Sequence, residues 1–172
     1  MAAMIEFVSS KVVGAVVAMV LLASILGFFS IQRSAAEERQ FLGMCETLSR
    51  AVDAVSSLGA ETSVNVTFGE EGPMPRLPFS FRNQGYDIEI RPWQVIFRQG
   101  ALTAVSPLTR AVHPWDPKLL GNGTGFYVSE EELERLDRNN TALRVPSGKD
   151  FVIECRLLRL IDAPGFETFV HF

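Results

Sequence analysis

Residues 12–32 read VVGAVVAMVLLASILGFFSIQ. The run carries no charge and is bracketed by Lys11 and Arg33. At about 21 residues it is long enough to cross the hydrocarbon core of a bilayer as a helix. The apolar core of a cleaved secretory leader is shorter, about 7–15 residues. A cut after Ala36 would find small residues at Ser34 and Ala36, but Arg33 sits just before them. A soluble core helix is seldom this long without a charge. The favoured reading is a retained spanning helix, with the cleaved leader as the alternative. Gly14, Ala18, Ala23, Ser24 and Gly27 offer small surfaces where a second helix can approach closely. The plainer reading is that they face lipid, since glycine is frequent in such helices.

Working outward from the run, nothing breaks the helix at Arg33. Ala35 to Gln40 are mostly good helix formers. Phe41, Cys45, Leu48, Val52 and Val55 then recur at spacings of four, three, four and three, which is one apolar stripe. Glu38, Glu46, Arg50 and Asp53 lie off it. Gly59 is placed to stop the helix just past Leu58. The prediction is one helix from about Ile5 to Leu58, roughly 80 Å long at about 1.5 Å per residue. Its first half is apolar all round, and its second half is amphipathic and suited to packing on a folded domain. On the N-terminal side, Glu6 is either a solvated acid at the membrane edge or a carboxylate that pairs with a positive group, such as the terminal amine of a neighbouring subunit. A lone charge in an apolar helix commonly marks a pairing site.

After Gly59 the period changes from helical to alternating. Val64, Val66 and Phe68 alternate with polar residues, as do Tyr86, Ile88 and Ile90, then Val95 and Phe97, and Phe151, Ile153, Cys155 and Leu157. A turn at Gln99-Gly100 leads from Val95 and Phe97 into a further strand through Leu102 and Ala104. Leu77, Phe79 and Phe81 also alternate, but Pro73, Pro75 and Pro78 demote that piece to an edge. Thr109 to Thr124 reads as loop. Ser129 and Glu132 make a capping box for a short helix to about Arg138. Asp162 to Gly165 is a turn, and Phe166 to Phe172 is the last strand. The fold class is α+β: a long N-terminal helix, residues 1–58, packed on a small, mainly antiparallel β-rich head, residues 59–172.

The chain has 172 residues and a net charge of -4, and no basic patch argues for nucleic acid. Arg76, Arg82, Arg91 and Arg98 recur in one region. The two histidines, His113 and His171, do not stand at metal-ligand spacing from cysteine or carboxylate pairs, and no Cys-x-x-Cys unit is present. No nucleophile elbow or phosphate-binding glycine loop appears. The chain therefore reads as non-enzymatic, with no cofactor. Glu130, Glu131, Glu132 and Glu134 look like a solvated helix face, and Trp93 and Trp115 like core or loop packing residues, with an exposed contact aromatic as the alternative at Trp115. Cys45 on the stripe and Cys155 on the apolar face of its strand point at the same helix–sheet interface, so a disulfide between them is the favoured reading, with two separate buried thiols as the alternative. Asn65, Asn122 and Asn139 each begin an N-glycosylation sequon, and all three lie on the same side of the apolar run. The flanking charges, Lys11 before the run and Glu37 and Glu38 after Arg33, favour an N-terminus inside and a C-terminal domain outside.

This layout resembles the type IV pilin-like proteins, the archaeal ones in particular. The resemblance rests on Glu6, which becomes the fifth residue if Met1 is removed, on the run Val12 to Gln32, on the stripe Phe41 to Val55, and on alternating segments such as Tyr86-Asp87-Ile88-Glu89-Ile90 and Phe151-Val152-Ile153-Glu154. It implies a membrane-anchored subunit, major or minor, of a surface filament or related secretion apparatus. Its partners would be the membrane and copies of itself or other pilin-like subunits, engaged through the N-terminal helix, with Glu6 acting in assembly. The alternative is a single-pass surface binding protein that does not polymerise.

Overall fold

The computed structural model describes residues 2–58, 60, 62–69, 75–114, 127–128, 134, 142–147, 152–160 and 165–171; the side chains of residues 2–10, 127, 128 and 160 lie outside that description. The first element, α1, is one unbroken helix, Ala2–Ser56. It contains a window of mean hydropathy 2.7, long and apolar enough to cross a membrane. The chain divides into two compact units, Met1–Arg39 and Gln40–Phe172, and α1 contributes to both. Its last turn tightens, with the Ser57 amide donating to the carbonyls of Asp53 and Ala54 and the Leu58 amide to that of Val55. Gly59, the expected stop, lies outside the described residues.

Among the described residues, the second unit holds ten strands in two sheets where the sequence predicted one. One is six-stranded and uses β1 (Thr62–Phe68), β2 (Arg76–Leu77), β6 (Val112–Pro114), β7 (Tyr127–Val128), β9 (Val152–Leu160) and β10 (Phe166–His171). Its order is β2-β1-β9-β10-β6, with β7 also paired to β9. The other is four-stranded and antiparallel, built from β3 (Asp87–Arg91), β4 (Gln94–Gln99), β5 (Leu102–Pro107) and β8 (Leu143–Pro146) in the order β5-β4-β3-β8. The alternating segments become strands of one sheet or the other, except that of Leu77, Phe79 and Phe81 only Leu77 lies in a strand and Phe81 forms an isolated bridge with Gln84. The proline-flanked piece is, as expected, an edge: β2 pairs only through Thr67↔Arg76 and Phe68↔Leu77.

Three strands were not expected. Val112–Pro114 falls inside the predicted loop Thr109 to Thr124 and pairs in parallel with β10, through Phe169↔His113 and its neighbours. β7 and β8 are two and four residues long. β6 and β7 are too short to show a period of two, whereas β8 alternates Leu143 and Val145 with Arg144 and Pro146 over only four residues that end in a proline. Residues 115–124, the capping box from Ser129 to Glu132, and the turn at Asp162 to Pro164 lie outside the described residues.

The core of the second unit forms where the stripe of α1 meets the inward faces of both sheets. Phe41, Cys45, Leu48, Val52 and Val55 are all at most 1% exposed, as the stripe predicts. Phe41 meets Phe81, Tyr86 and Phe97 with ring centroids 5.0, 6.1 and 6.0 Å away. Ser49 Oγ donates to the Pro107 carbonyl at 2.7 Å. At the helix end, the Thr168 hydroxyl donates to Ser56 Oγ at 2.8 Å, and Arg110 donates to the Ser56 carbonyl at 2.8 Å. That guanidinium meets both an unpaired carbonyl and the negative end of the helix dipole. Off the stripe, Glu46 and Arg50 pair at 3.6 Å on the solvent side.

Candidate functional site

The first unit carries the most unusual surface of the protein. Every large apolar side chain from Val12 to Ile31 is at least half exposed, from 50% at Ile25 to 71% at Ile31. Contiguous apolar surface of this kind marks a site of contact with lipid or protein. The backbone is fit for that setting, because a helix satisfies its own amides and carbonyls. Ser24, the polar side chain in mid-run, donates to the Val20 carbonyl at 2.8 Å. A Cβ added at Gly14 or Gly27 would meet nothing within 4 Å, so the small-residue positions are open to an approaching helix. Past the run, Arg33 and Glu37 pair at 3.0 Å. Glu6 lies within α1, and its side chain is outside the described part.

In the second unit the expected Cys45–Cys155 bridge is absent: both thiols are free and buried. The reason is that the core has two walls. The Cys45 thiol donates to the Val95 carbonyl at 3.3 Å and lies 3.8 Å from that of Ala104, both in the four-stranded sheet. Cys155 sits in β9 of the other sheet, opposite Val64 and Val170. Facing one helix was not enough to make the sulfurs neighbours. Burial pushes both thiols up to about 12, far from the range of reactive cysteines.

The outward face of the four-stranded sheet carries a charged cluster. The Glu89 side chain is only 5% exposed and lies under three arginines: Arg91 at 2.6 Å, Arg98 at 3.4 Å and Arg144 at 3.9 Å. Burial pushes the Glu89 carboxyl up, but the hydrogen bond from Arg91 and the charges of Arg91, Arg98 and Arg144 outweigh it and hold the group below its ordinary range. Strand pairing explains the grouping, since Arg144 stands opposite Glu89 and Arg98 opposite Asp87. The recurrence of Arg91 and Arg98 in sequence was a partial signal, whereas Arg144 depends on the unexpected β8. Trp93 corrects a sequence reading. It sits at 62% exposure in the β3–β4 turn instead of packing inside, while its carbonyl accepts from the Leu108 amide at 2.9 Å. Trp115 lies outside the described residues.

The remaining candidates are spread over the six-stranded sheet. Asn65 is exposed in β1, whereas Asn122 and Asn139 lie outside the described residues. His113 meets Glu167 at 3.3 Å and its ring lies 5.3 Å from that of Phe169. His171 meets Glu154 at 2.9 Å, and Glu154 also pairs with Arg156. Burial holds the His171 imidazole below its ordinary value; Glu154 opposes that shift and Arg156 adds to it. Among the described residues no group of three or more histidine, cysteine or acidic side chains is placed to hold a metal ion.

No protein-family model, curated protein or solved structure matches the chain.

Proposed function

We propose that this protein is a non-enzymatic, membrane-anchored, pilin-like subunit whose β-rich head lies outside the cell and whose apolar half-helix drives assembly. The observation that carries the reading is the division of labour along α1. Val12 to Ile31 turn large apolar side chains outward at every angle around the helix, while Phe41 to Val55 bury a single stripe in the head. A helix apolar all round requires lipid or other helices as its surroundings. The open positions at Gly14 and Gly27 favour close helix–helix approach in an assembly. In this reading the helix is stored in the membrane, then bundled with like helices in a filament core, with Glu6 neutralising a neighbour's terminal amine. Exposed Asn65 is available for glycosylation outside the cell.

Electron microscopy of sheared cell-surface material, with antibody against the head, tests the proposal. Labelled filaments are expected in the wild type. Glu6→Ala is expected to leave the chain folded and membrane-bound but to lower its incorporation. Wild-type protein that remains in the membrane fraction with no labelled filament would favour the single-pass binding protein instead.

A further inference from the structure

We propose that the outward face of the β3–β4–β5–β8 sheet is a docking surface for a second copy of this chain, and that it receives the acidic run Glu130-Glu131-Glu132-Leu133-Glu134 of that copy. The inference rests on the assembly reading above and adds a contact between heads to it.

The surface is built from side chains that strand pairing places on one face. Arg91, Arg98 and Arg144 gather over the Glu89 carboxylate, and their side chains remain 42%, 49% and 76% exposed. Among the described residues, Glu89 is the acid with which these three arginines pair. Each guanidinium has five N–H donors, and one carboxylate accepts about four hydrogen bonds in all. Most donors on this face therefore remain for another acceptor. Glu89 holds the three heads together, so less side-chain freedom is lost when an anion binds. Asp87, exposed on the same face opposite Arg98, reduces the positive excess without cancelling it. Val105 at 46% exposure adds an apolar contact on this face, and Trp93 at 62% adds one at the adjoining turn. Arginine and tryptophan are the residue types enriched where binding energy concentrates.

The occupant follows from charge. The chain as a whole is acidic, at -4, so a locally basic face is complementary to other parts of the same molecule. Residues 130–134 hold four acids in five positions, the densest such run in the sequence. Copies already held together by their helices face one another at high effective concentration, where a modest ionic contact suffices.

The test uses the full chain in detergent micelles, with a photo-reactive benzoylphenylalanine at Val105 and an equal mixture of isotope-labelled and unlabelled protein. Illumination is expected to yield an adduct between this position and the peptide containing residues 130–134 of the other isotopic form. Half-molar salt should reduce its yield several-fold, since screening is then strong. A triple variant, Glu130→Lys, Glu131→Lys and Glu134→Lys, alters no residue of the four-stranded sheet and should abolish the adduct. Adding Arg98→Glu and Arg144→Glu to that variant should restore it. An adduct confined to one chain, an adduct unaffected by the triple variant, or none from a folded protein would overturn the proposal. So would retention of this face by a carboxylated polysaccharide with no second-copy adduct. Filaments without the adduct would refute this contact alone; the adduct without filaments would refute the assembly reading alone.

Discussion

Thr168 and Ser56 share a buried hydrogen bond of 2.8 Å that ties the final strand to the final residue of α1. Ser56 Oγ accepts from Thr168 and itself donates to the Val52 carbonyl at 2.9 Å, so the hydroxyl of Ser56 both gives and receives. Both residues are nearly inaccessible, at 2% and 3% exposure. A helix that begins as a long apolar segment thus ends by being fixed to the last strand of the sheet.

The two ends of this bond are not equivalent. Ser56→Ala removes the acceptor and leaves the Thr168 O–H buried without a partner, which costs about 1–3 kcal/mol. Thr168→Val leaves the Ser56 donor satisfied by Val52 and is expected to cost less, about 1 kcal/mol. Urea unfolding of the chain in micelles, followed by near-ultraviolet circular dichroism, should order the midpoints as wild type, then Thr168→Val, then Ser56→Ala. The reverse order for the variants would show that the donor is not stranded.

Gly69 has φ of +107°, a backbone conformation open to glycine and strained for other residues, and its amide donates to the Leu77 carbonyl at 2.8 Å. A Cβ at this position would run into the tip of the Phe79 ring. Gly69→Ala is therefore expected to destabilise the head by more than about 1 kcal/mol, since the native backbone does not suit alanine. A thermal midpoint equal to that of the wild type would show that the β1–β2 link relaxes freely.

The fold was legible where a local period was long enough to be read. Five stripe residues between Phe41 and Val55 repeat at helical spacing, and all five are buried. The hairpin through Gly100 was legible because its strands are adjacent in sequence, and Gly100 takes φ of +55° as such a turn demands. The division into two sheets was not legible. It depends on β9 running between β1 and β10, while β8 returns from far along the chain to pair with β3. Pairings of that kind leave no mark on local alternation. The same gap explains the mistaken disulfide and the incomplete view of the arginine cluster. Each required knowing which sheet a strand joins.

Placing a charge in the apolar run tests whether the first unit spans a membrane. Leu21 is 58% exposed near the middle of the run. Leu21→Arg puts a guanidinium where insertion costs about 2.5–3.5 kcal/mol at a helix centre. The variant should be depleted from the membrane fraction and extracted more readily by alkaline carbonate, with the head still folded. Equal resistance to extraction would argue against a spanning helix.

The buried thiols make a prediction about alkaline pH. Neither cysteine should react with an alkylating reagent in the native chain, and both should react after denaturation without a reductant, because neither is bonded to the other. Each thiol is pushed from 9.0 to about 12 by burial. Below pH 9 the folded and unfolded chains both keep these protons, and the stabilisation is complete. Between pH 9 and about 12 the unfolded chain loses them while the folded chain retains them, so stability falls as pH rises. A rise of about three units corresponds to at most about 4 kcal/mol for each thiol. Burial also pushes the Tyr86 phenol up, which extends the loss to higher pH. Urea midpoints measured at steps from pH 8 to pH 11 should hold nearly level at first and decline from about pH 9 upward. In a Cys45→Ala, Cys155→Ala chain the starting stability should be lower, because two buried side chains have been shortened, and the decline should be shallower, because the two thiols no longer contribute to it while Tyr86 still does. An unchanged slope in the double variant would mean that the thiols ionise as readily in the folded head as in the unfolded chain, contrary to their placement in the core.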